Sequence, residues 1–183
     1  MTKRGVSAGF NLIELMVVLA VLAILQTLAA PAFSGAVTSI RLTAAVNSLL
    51  SSLLLARSEA IKRNTRVVVC KSATGDACTT AGGWEQGWIV FHDANNNATR
   101  DSSEVIVWLE PALQSPLRLS GNSPVANYVS YTPAGRTEYA SGAFQAGTLT
   151  VCSQSTTQSD ARQIVINIAG RPRTAKIAVA QCP

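Results

Sequence analysis

The stretch GFNLIELMVVLAVLAIL, residues 9–25, decides how this chain is organised, because it is an almost unbroken apolar run close to the N-terminus. A run of this length and composition fits a membrane-spanning helix. The carboxylate of Glu14 lies inside the run, and an ionised side chain within a hydrophobic helix costs about 2.5 to 3.5 kcal/mol. A function must therefore offset the cost of placing Glu14 there.

Two ordinary interpretations of the first 33 residues are a cleaved secretory signal and a retained transmembrane helix. Lys3 and Arg4 precede the apolar run, and the small residues at 30–32 would suit signal cleavage after Ala32. Glu14 argues against both interpretations in their ordinary form, because neither gives its carboxylate a role.

Residues 9–14, Gly-Phe-Asn-Leu-Ile-Glu, resemble the processing signature of type IV prepilins and pseudopilins. The resemblance implies that a membrane-embedded prepilin peptidase cleaves after Gly9 and methylates the new amino group of Phe10. It also implies that Glu14 neutralises the N-terminus of a neighbouring subunit during filament assembly. The expected segments are a leader at 1–9, a transmembrane and assembly helix at 10–37, and a globular pilin head at 38–183.

Helical periodicity continues beyond the membrane segment and then gives way to alternation. From Arg41 to Arg63, apolar side chains recur at spacings of three and four and define one stripe, formed by Leu42, Val46, Leu49, Leu50, Leu53, Leu54 and Ile61. After Asn64 the sequence predicts strands separated by turn residues, at 65–71, 88–92, 105–109, 128–132, 148–153, 162–169 and 176–180. The predicted fold class is α+β, with a long N-terminal α-helix packed on an antiparallel β-sheet head.

Composition and charge narrow the classes of function. The 183 residues are 48% hydrophobic, and much of this content lies between Phe10 and Phe33, which leaves a polar remainder. The formal net charge of +5 mildly favours acidic partners, either nucleic acid or anionic lipid. The single histidine, His92, lies next to Asp93 in a predicted strand, with no nucleophile motif such as G-x-S-x-G nearby. We therefore expect neither enzymatic activity nor a cofactor.

Four cysteines, at 70, 78, 152 and 182, allow three pairings. Translocation of the head would place it in an oxidising compartment, where structural disulfides persist. Pairing of Cys70 with Cys78 and of Cys152 with Cys182 is favoured, because it closes one short loop and fixes the C-terminus. Zinc is disfavoured, since the sequence has no C-x-x-C pair.

The segment DANNNATRDSSE, residues 93–104, resembles a calcium-binding loop in the spacing of its oxygen-bearing side chains. However, it lies between two predicted strands, and Ala98 stands where an EF-hand requires glycine. An ordinary hairpin turn is the favoured interpretation, with calcium as the alternative. The six residues at ligand positions are Asp93, Asn95, Asn97, Thr99, Asp101 and Glu104.

The basic surplus lies in the C-terminal part, since residues 111–183 hold six basic and two acidic side chains. The segment IAGRPRTAK, at 168–176, separates two predicted strands and is expected to form a hairpin tip, with Gly170 available for a positive φ. Pro172 stiffens the segment, and side chains two residues apart share a face, so Arg171 and Arg173 should project together. Alternatively, these arginines only keep a sheet edge soluble.

The residues Gly170-Arg171-Pro172-Arg173 resemble the DNA-contacting Gly-Arg-x-Arg loop of FimT-type minor pilins from naturally competent bacteria. The segment GGWEQGW, at 82–88, is likewise similar to the GspH/FimT-like subgroup of pilins. The resemblance implies a minor pilin that binds extracellular double-stranded DNA through its phosphates. The expected contacts are Gly170, Arg171, Arg173, Lys176, Arg136 and Arg162.

The same resemblance implies the partners and the location of the chain. Expected partners are other major and minor pilins, double-stranded DNA, the prepilin peptidase and, before assembly, the bacterial inner membrane. The head is expected in the periplasm first and then at the tip of an extracellular pilus. The alternatives are a structural minor pilin that primes pilus assembly or a type II secretion pseudopilin, both without DNA binding. A third is a calcium-dependent adhesin that uses the Asn-rich loop.

Overall fold

The computed structural model describes Gly9, residues 11–154 and residues 159–183. These residues form one α-helix, α1 (Leu12–Arg63), eight strands and two short 3-10 helices, Trp84–Gln86 and Ser123–Val125. The strands are β1 (Arg66–Lys71), β2 (Trp88–Asp93), β3 (Ile106–Glu110), β4 (Leu117–Gly121), β5 (Tyr128–Tyr131), β6 (Gly147–Ser153), β7 (Ser159–Ile166) and β8 (Pro172–Val179). The chain divides into two compact units, Met1–Ser39 and Ile40–Pro183. Phe10, the predicted methylation site, lies outside the described residues.

In the first unit, the helical residues Leu12–Thr27 are apolar and exposed. A second helical segment, Gly35–Arg63, is also long and apolar enough to cross a membrane, but 39% of its most apolar window is buried. From Leu42 onward this segment supplies core residues to the second unit. Burial in a protein core explains its hydropathy, so the exposed segment Leu12–Thr27 is the better membrane anchor.

The helical part of the second unit buries a narrower stripe than the sequence predicts. Its buried residues are Leu42, Ala45, Val46, Leu49, Ser52, Leu53, Ala56 and Ala60. Leu54 and Ile61 were expected in the stripe but are 47% and 50% exposed. Consecutive helical residues lie about 100° apart, so Leu54 points away from the face of Leu53. The helix ends at Arg63, and Asn64 follows with a φ of 52°, a left-handed conformation common at helix C-termini.

The head contains two four-stranded antiparallel sheets, with strand orders β3-β2-β1-β5 and β4-β6-β7-β8. The predicted α+β class with an antiparallel head is therefore confirmed. Strand β4 was not predicted, because only Leu117 and Leu119 alternate in it and Pro116 precedes it. Strand β8 begins at Pro172 rather than at Lys176, so the turn that precedes it is shorter than expected.

Apolar residues of both sheets and of the helix join in one core, which includes the buried Trp84 and Trp88. The first sheet also buries its other face, through Val68, Ile89 and Phe91, beneath the two loops that carry Cys78 and Ala98. Disulfides join Cys70 with Cys78 and Cys152 with Cys182, the pairing that the sequence favours. The second disulfide ties the C-terminus to β6.

Candidate nucleic-acid interface

The turn between β7 and β8, residues 167–171, is built around Gly170. This glycine has a φ of +69°, as the sequence predicts, and it is buried, which the sequence does not predict. A β-carbon at this position would collide with the carbonyl oxygen of Gly135 and would lie 3.2 Å from the ring of Tyr131. Asn167 closes the turn, because its carbonyl accepts from the Gly170 amide (2.9 Å) and its Oδ1 accepts from the Arg171 amide (3.2 Å). Glycine is therefore required for both the φ angle and the close approach.

The turn is anchored to the head instead of projecting freely. The hydroxyl Oγ1 of Thr137 lies 3.0 Å from the carbonyl oxygen of Asn167 and 2.6 Å from that of Gln145. The carbonyl of Gly135 accepts a hydrogen bond from Nε of Arg57 on α1, at 2.9 Å. The helix thus holds the Gly135 segment, and that segment supports the β7–β8 turn. The backbone of the turn is fixed by these contacts.

Arg171 and Arg173 are both exposed. In the β7–β8 ladder, Arg173 stands directly opposite Val165, which is 40% exposed and lies between the buried Ile164 and Ile166. Directly opposed residues of an antiparallel pair share a face, so Arg173 projects from the outer face of the sheet. Arg171 precedes β8 by one residue and belongs to the anchored turn.

The six residues predicted to contact DNA do not form one patch, which corrects that expectation. Lys176 stands opposite Arg162 in the ladder and lies three positions after Arg173, so alternation places it on the opposite face. Arg162 is only 8% exposed. Both residues line a groove of about 270 Å³ together with Thr43 of the helix. Arg162 and Lys176 are therefore separated from Arg173.

Arg136 remains beside the turn, since it directly follows Gly135, the contact of Gly170. Its guanidinium carbon lies 4.8 Å from the centre of the Phe144 ring, a cation–π geometry. Both side chains are exposed. We use the name basic tip for the exposed side chains Arg136, Arg171 and Arg173.

Phe144 and Arg57 belong to this region, but the sequence does not reveal either of them. Phe144 lies in a segment without clear periodicity, and it reaches Arg136 only because it pairs with Glu138 in a small hairpin. Arg57 lies 78 residues from its acceptor Gly135. Contacts over such separations leave no local signal in the sequence.

The Asn-rich loop uses its carboxylates to bind its own backbone. The two oxygens of Asp93 accept from the amides of Asn97 and Ala98, both at 3.0 Å. The two oxygens of Glu104 accept from the amides of Ala94 (2.8 Å) and Asp101 (3.0 Å). Among the described residues, no group of three or more His, Cys, Asp or Glu side chains is placed to hold a metal ion.

The remaining residues at predicted calcium-ligand positions also form hydrogen bonds within the turn. Nδ2 of Asn95 and Nδ2 of Asn97 both donate to Oδ2 of Asp101. The amide of Thr99 donates to Oδ1 of Asn97 at 2.7 Å. Ala98 adopts a φ of +60°, so the bend forms although glycine is absent. The favoured hairpin turn is the structure observed.

His92 is partly buried on β2, and its Nε2 lies 3.8 Å from Oε2 of Glu59. This nitrogen has no hydrogen-bond partner among the described residues. Burial lowers the pKa of His92 and the positive charge of Arg63 lowers it further, while Glu59 raises it. The pKa of Asp93 is raised. Burial raises it, and hydrogen bonds from the amides of Ala98 and Asn97 oppose this shift only in part.

Two predicted processing and assembly residues are described in the first unit. Gly9 and Glu14 are both exposed. The amide of Glu14 donates to the carbonyl of Asn11 at 3.0 Å, which places the carboxylate in the first turn of α1. In the sequence, Glu14 follows by four positions the residue that the predicted cleavage would make the new N-terminus.

Comparison with known proteins gives a family and a fold. The family described as "Type II transport protein GspH" matches residues 45–170. Two crystal structures of the Pseudomonas aeruginosa (strain PAO1) type IV minor pilin FimU resemble this chain. The form in space group P21 has a TM-score of 0.55 and 18% identity, over 78% of this chain and 95% of that chain. The form in space group P65 has a TM-score of 0.51 and 19% identity, over 78% of this chain and 100% of that chain. No curated protein matches the sequence.

The family match spans well over half of the chain. The FimU structures share the fold of a pilin head. Together with the exposed apolar helix at Leu12–Thr27, these matches indicate that the chain is a membrane-anchored pilin with a periplasmic head. As a pilin, it associates with other pilins. Proteins of this kind are structural subunits rather than enzymes. The chain belongs to the GspH family and is a GspH/FimT-like minor pilin or pseudopilin.

Proposed function

We propose that this chain is a minor pilin of a type IV pilus that binds extracellular double-stranded DNA, for uptake in natural transformation. The observation that carries the proposal is that Arg171, in the β7–β8 turn, and Arg173, at the start of β8, are both exposed. The close contact between Gly170 and Gly135 holds the backbone of this turn. Guanidinium groups make bidentate contacts with phosphates. Contacts of this kind read no base sequence, so binding is non-specific.

Arg136 extends the phosphate-binding surface. It is exposed and directly follows the glycine that supports the β7–β8 turn. With three phosphates neutralised by the basic tip, log K should fall with log salt at a slope of about −2.7. Binding by one subunit is then weak. Several subunits that engage one duplex together would compensate through a high effective concentration.

In this proposal, the N-terminal residues direct assembly of the chain into the pilus. The prepilin peptidase cleaves after Gly9 and methylates Phe10, and Glu14 then neutralises the new N-terminus of a neighbouring pilin. The segment at 10–37 spans the inner membrane before assembly, and the head at 38–183 is carried to the pilus tip. Retraction of the pilus would bring bound DNA to the cell.

The test is DNA binding by the full chain in a non-ionic detergent, measured with unrelated duplexes at several salt concentrations. The variant Arg171→Gln/Arg173→Gln removes two of the three contacts, and its slope should fall to about −0.9. The matched control is Arg41→Gln/Lys176→Gln, which loses the same charge at two exposed residues outside the basic tip. Control and wild type should share one slope.

If the wild type does not bind DNA, or if both double variants lose binding equally, the basic tip is not a DNA site. The second function is then favoured, a minor pilin that primes assembly or a type II secretion pseudopilin. The match to the family described as "Type II transport protein GspH" supports this alternative. So does the apolar groove of about 440 Å³ beside the helix, which is lined by Ser51, Leu55 and the half-exposed Trp108.

A further inference from the structure

Phe144 is a large apolar side chain at the basic tip, and 57% of it is exposed. Arg136 covers one side of the ring, with its guanidinium carbon 4.8 Å from the ring centre. The exposed fraction leaves much of the ring open to solvent. The exposed ring therefore offers a flat apolar surface on which another planar group could stack.

The hydrogen bonds of Thr137 place Phe144 next to the β7–β8 turn. The hydroxyl of Thr137 contacts both the carbonyl of Asn167 in that turn and the carbonyl of Gln145, the residue after Phe144. The amide of Gln145 donates to the carbonyl of Thr137, and Phe144 pairs with Glu138. The ring is therefore held on ordered backbone beside the arginine-bearing turn.

The net charge of the basic tip and of the small hairpin suits a polyanion. Arg136, Arg171 and Arg173 are exposed, while Glu138, opposite Phe144, is the carboxylate of the same small hairpin. Three guanidinium groups thus exceed one carboxylate. An arginine stacked on an aromatic ring, with further arginines nearby, is the combination that binds the bases and the backbone of single-stranded nucleic acid.

We propose that Phe144, oriented by Arg136, is a stacking site for an unpaired nucleobase. The inference rests on the proposed DNA-binding function and deepens it. Bases inside a duplex are stacked on one another and cannot reach the ring without being extruded. The basic tip therefore holds single-stranded DNA, or the frayed end of a duplex, more tightly than the interior of a duplex of equal charge.

The test compares two single strands of about 12 nucleotides, a common site size, one of thymidine and one of abasic residues with the same phosphates. The wild-type full chain in a non-ionic detergent should bind the thymidine strand about tenfold more tightly, because only that strand can stack. Phe144→Leu keeps an apolar side chain without a ring, and it should bind both strands equally. Phe144→Tyr keeps the ring and should retain the preference.

Trp108→Leu is the matched control, since Trp108 is another exposed aromatic side chain, 48% exposed, on β3 at the far edge of the first sheet from β5. It should keep the tenfold preference. Equal binding of both strands by the wild type overturns the stacking site but leaves phosphate binding intact. Binding of neither strand overturns the proposed function as well. A preference that survives in folded Phe144→Leu also overturns the site.

A measurement on the wild type alone covers the case in which Phe144→Leu fails to fold. A thymidine strand that carries 5-iodouracil is irradiated in the complex, and the cross-linked peptide is identified by mass spectrometry. The cross-link is expected at Phe144, because the photoactivated base reacts with the aromatic ring on which it stacks. A cross-link confined to other residues overturns the proposal.

Discussion

The carbonyl oxygen of Gly135 occupies the space that a β-carbon on Gly170 would need. This contact joins two turns that are distant in sequence, the one before Arg136 and the one before Arg173. Arg57 of α1 donates to the same carbonyl, at 2.9 Å. The position of the basic tip therefore depends on two glycines and a helix, and not on the arginines themselves.

Gly170→Ala should destabilise the head more than Gly142→Ala does. Both glycines have positive φ angles, +69° and +85°, and a left-handed alanine costs about 1 to 2 kcal/mol. Only Gly170 would also place its β-carbon against backbone, because nothing lies within 4 Å of a β-carbon at Gly142. Chemical denaturation of the two variants measures the difference. Equal losses would show that the contact with Gly135 has no energetic weight.

Ser52→Ala should lower the free energy of unfolding by about 1 to 3 kcal/mol, because it leaves a buried indole donor unsatisfied. Nε1 of Trp88 donates to Oγ of Ser52 at 2.9 Å, and both residues are buried. Ser51→Ala removes a neighbouring exposed hydroxyl and should change stability by less than about 0.5 kcal/mol. Urea unfolding of both variants is the measurement. A similar effect of the two substitutions would contradict this account.

His92 should make the head less stable as the pH falls from about 7 toward 5.5. Its ordinary pKa is 6.5, and burial followed by the charge of Arg63 lowers the pKa in the folded state. The unfolded chain therefore binds more protons in this range, so the stabilisation is present above the ordinary pKa and is lost below it.

The difference in unfolding free energy between wild type and His92→Gln isolates this residue from the titrating carboxyl groups. As the pH falls through this range, the wild type should lose unfolding free energy relative to His92→Gln. A difference that does not change between pH 7 and pH 5.5 would mean that His92 has the same pKa in both states.

Calcium should not raise the thermal midpoint of the head relative to EGTA. The carboxylates of Asp93 and Glu104 already accept hydrogen bonds from four backbone amides, and Asp101 accepts from two asparagine side chains. A cation would have to displace these donors. A clear upward shift in saturating calcium would contradict this prediction and restore the Asn-rich loop as a metal site.

The strands that were predicted well are those whose pattern is carried by residues close together in the sequence. Runs of β-branched and aromatic residues predicted β1 and β2 within one residue of their observed bounds. Short segments were less informative, since five residues such as β4 contain too few alternations to be recognised. Strand β8 begins four residues before the predicted start, because its long pairing with β7 draws Pro172 into the ladder.

Local sequence patterns were enough to predict the apolar helix with Glu14 in it, the strand-rich head and a turn at Gly170, since each depends on contiguous residues. Which cations lie together depended on the three-dimensional fold. Pairing register put Lys176 beside Arg162 and away from Arg173. Folding also brought Phe144 to Arg136. The physical reason is that periodicity and turn chemistry act between residues near in sequence, whereas faces and contacts are set by packing between residues far apart.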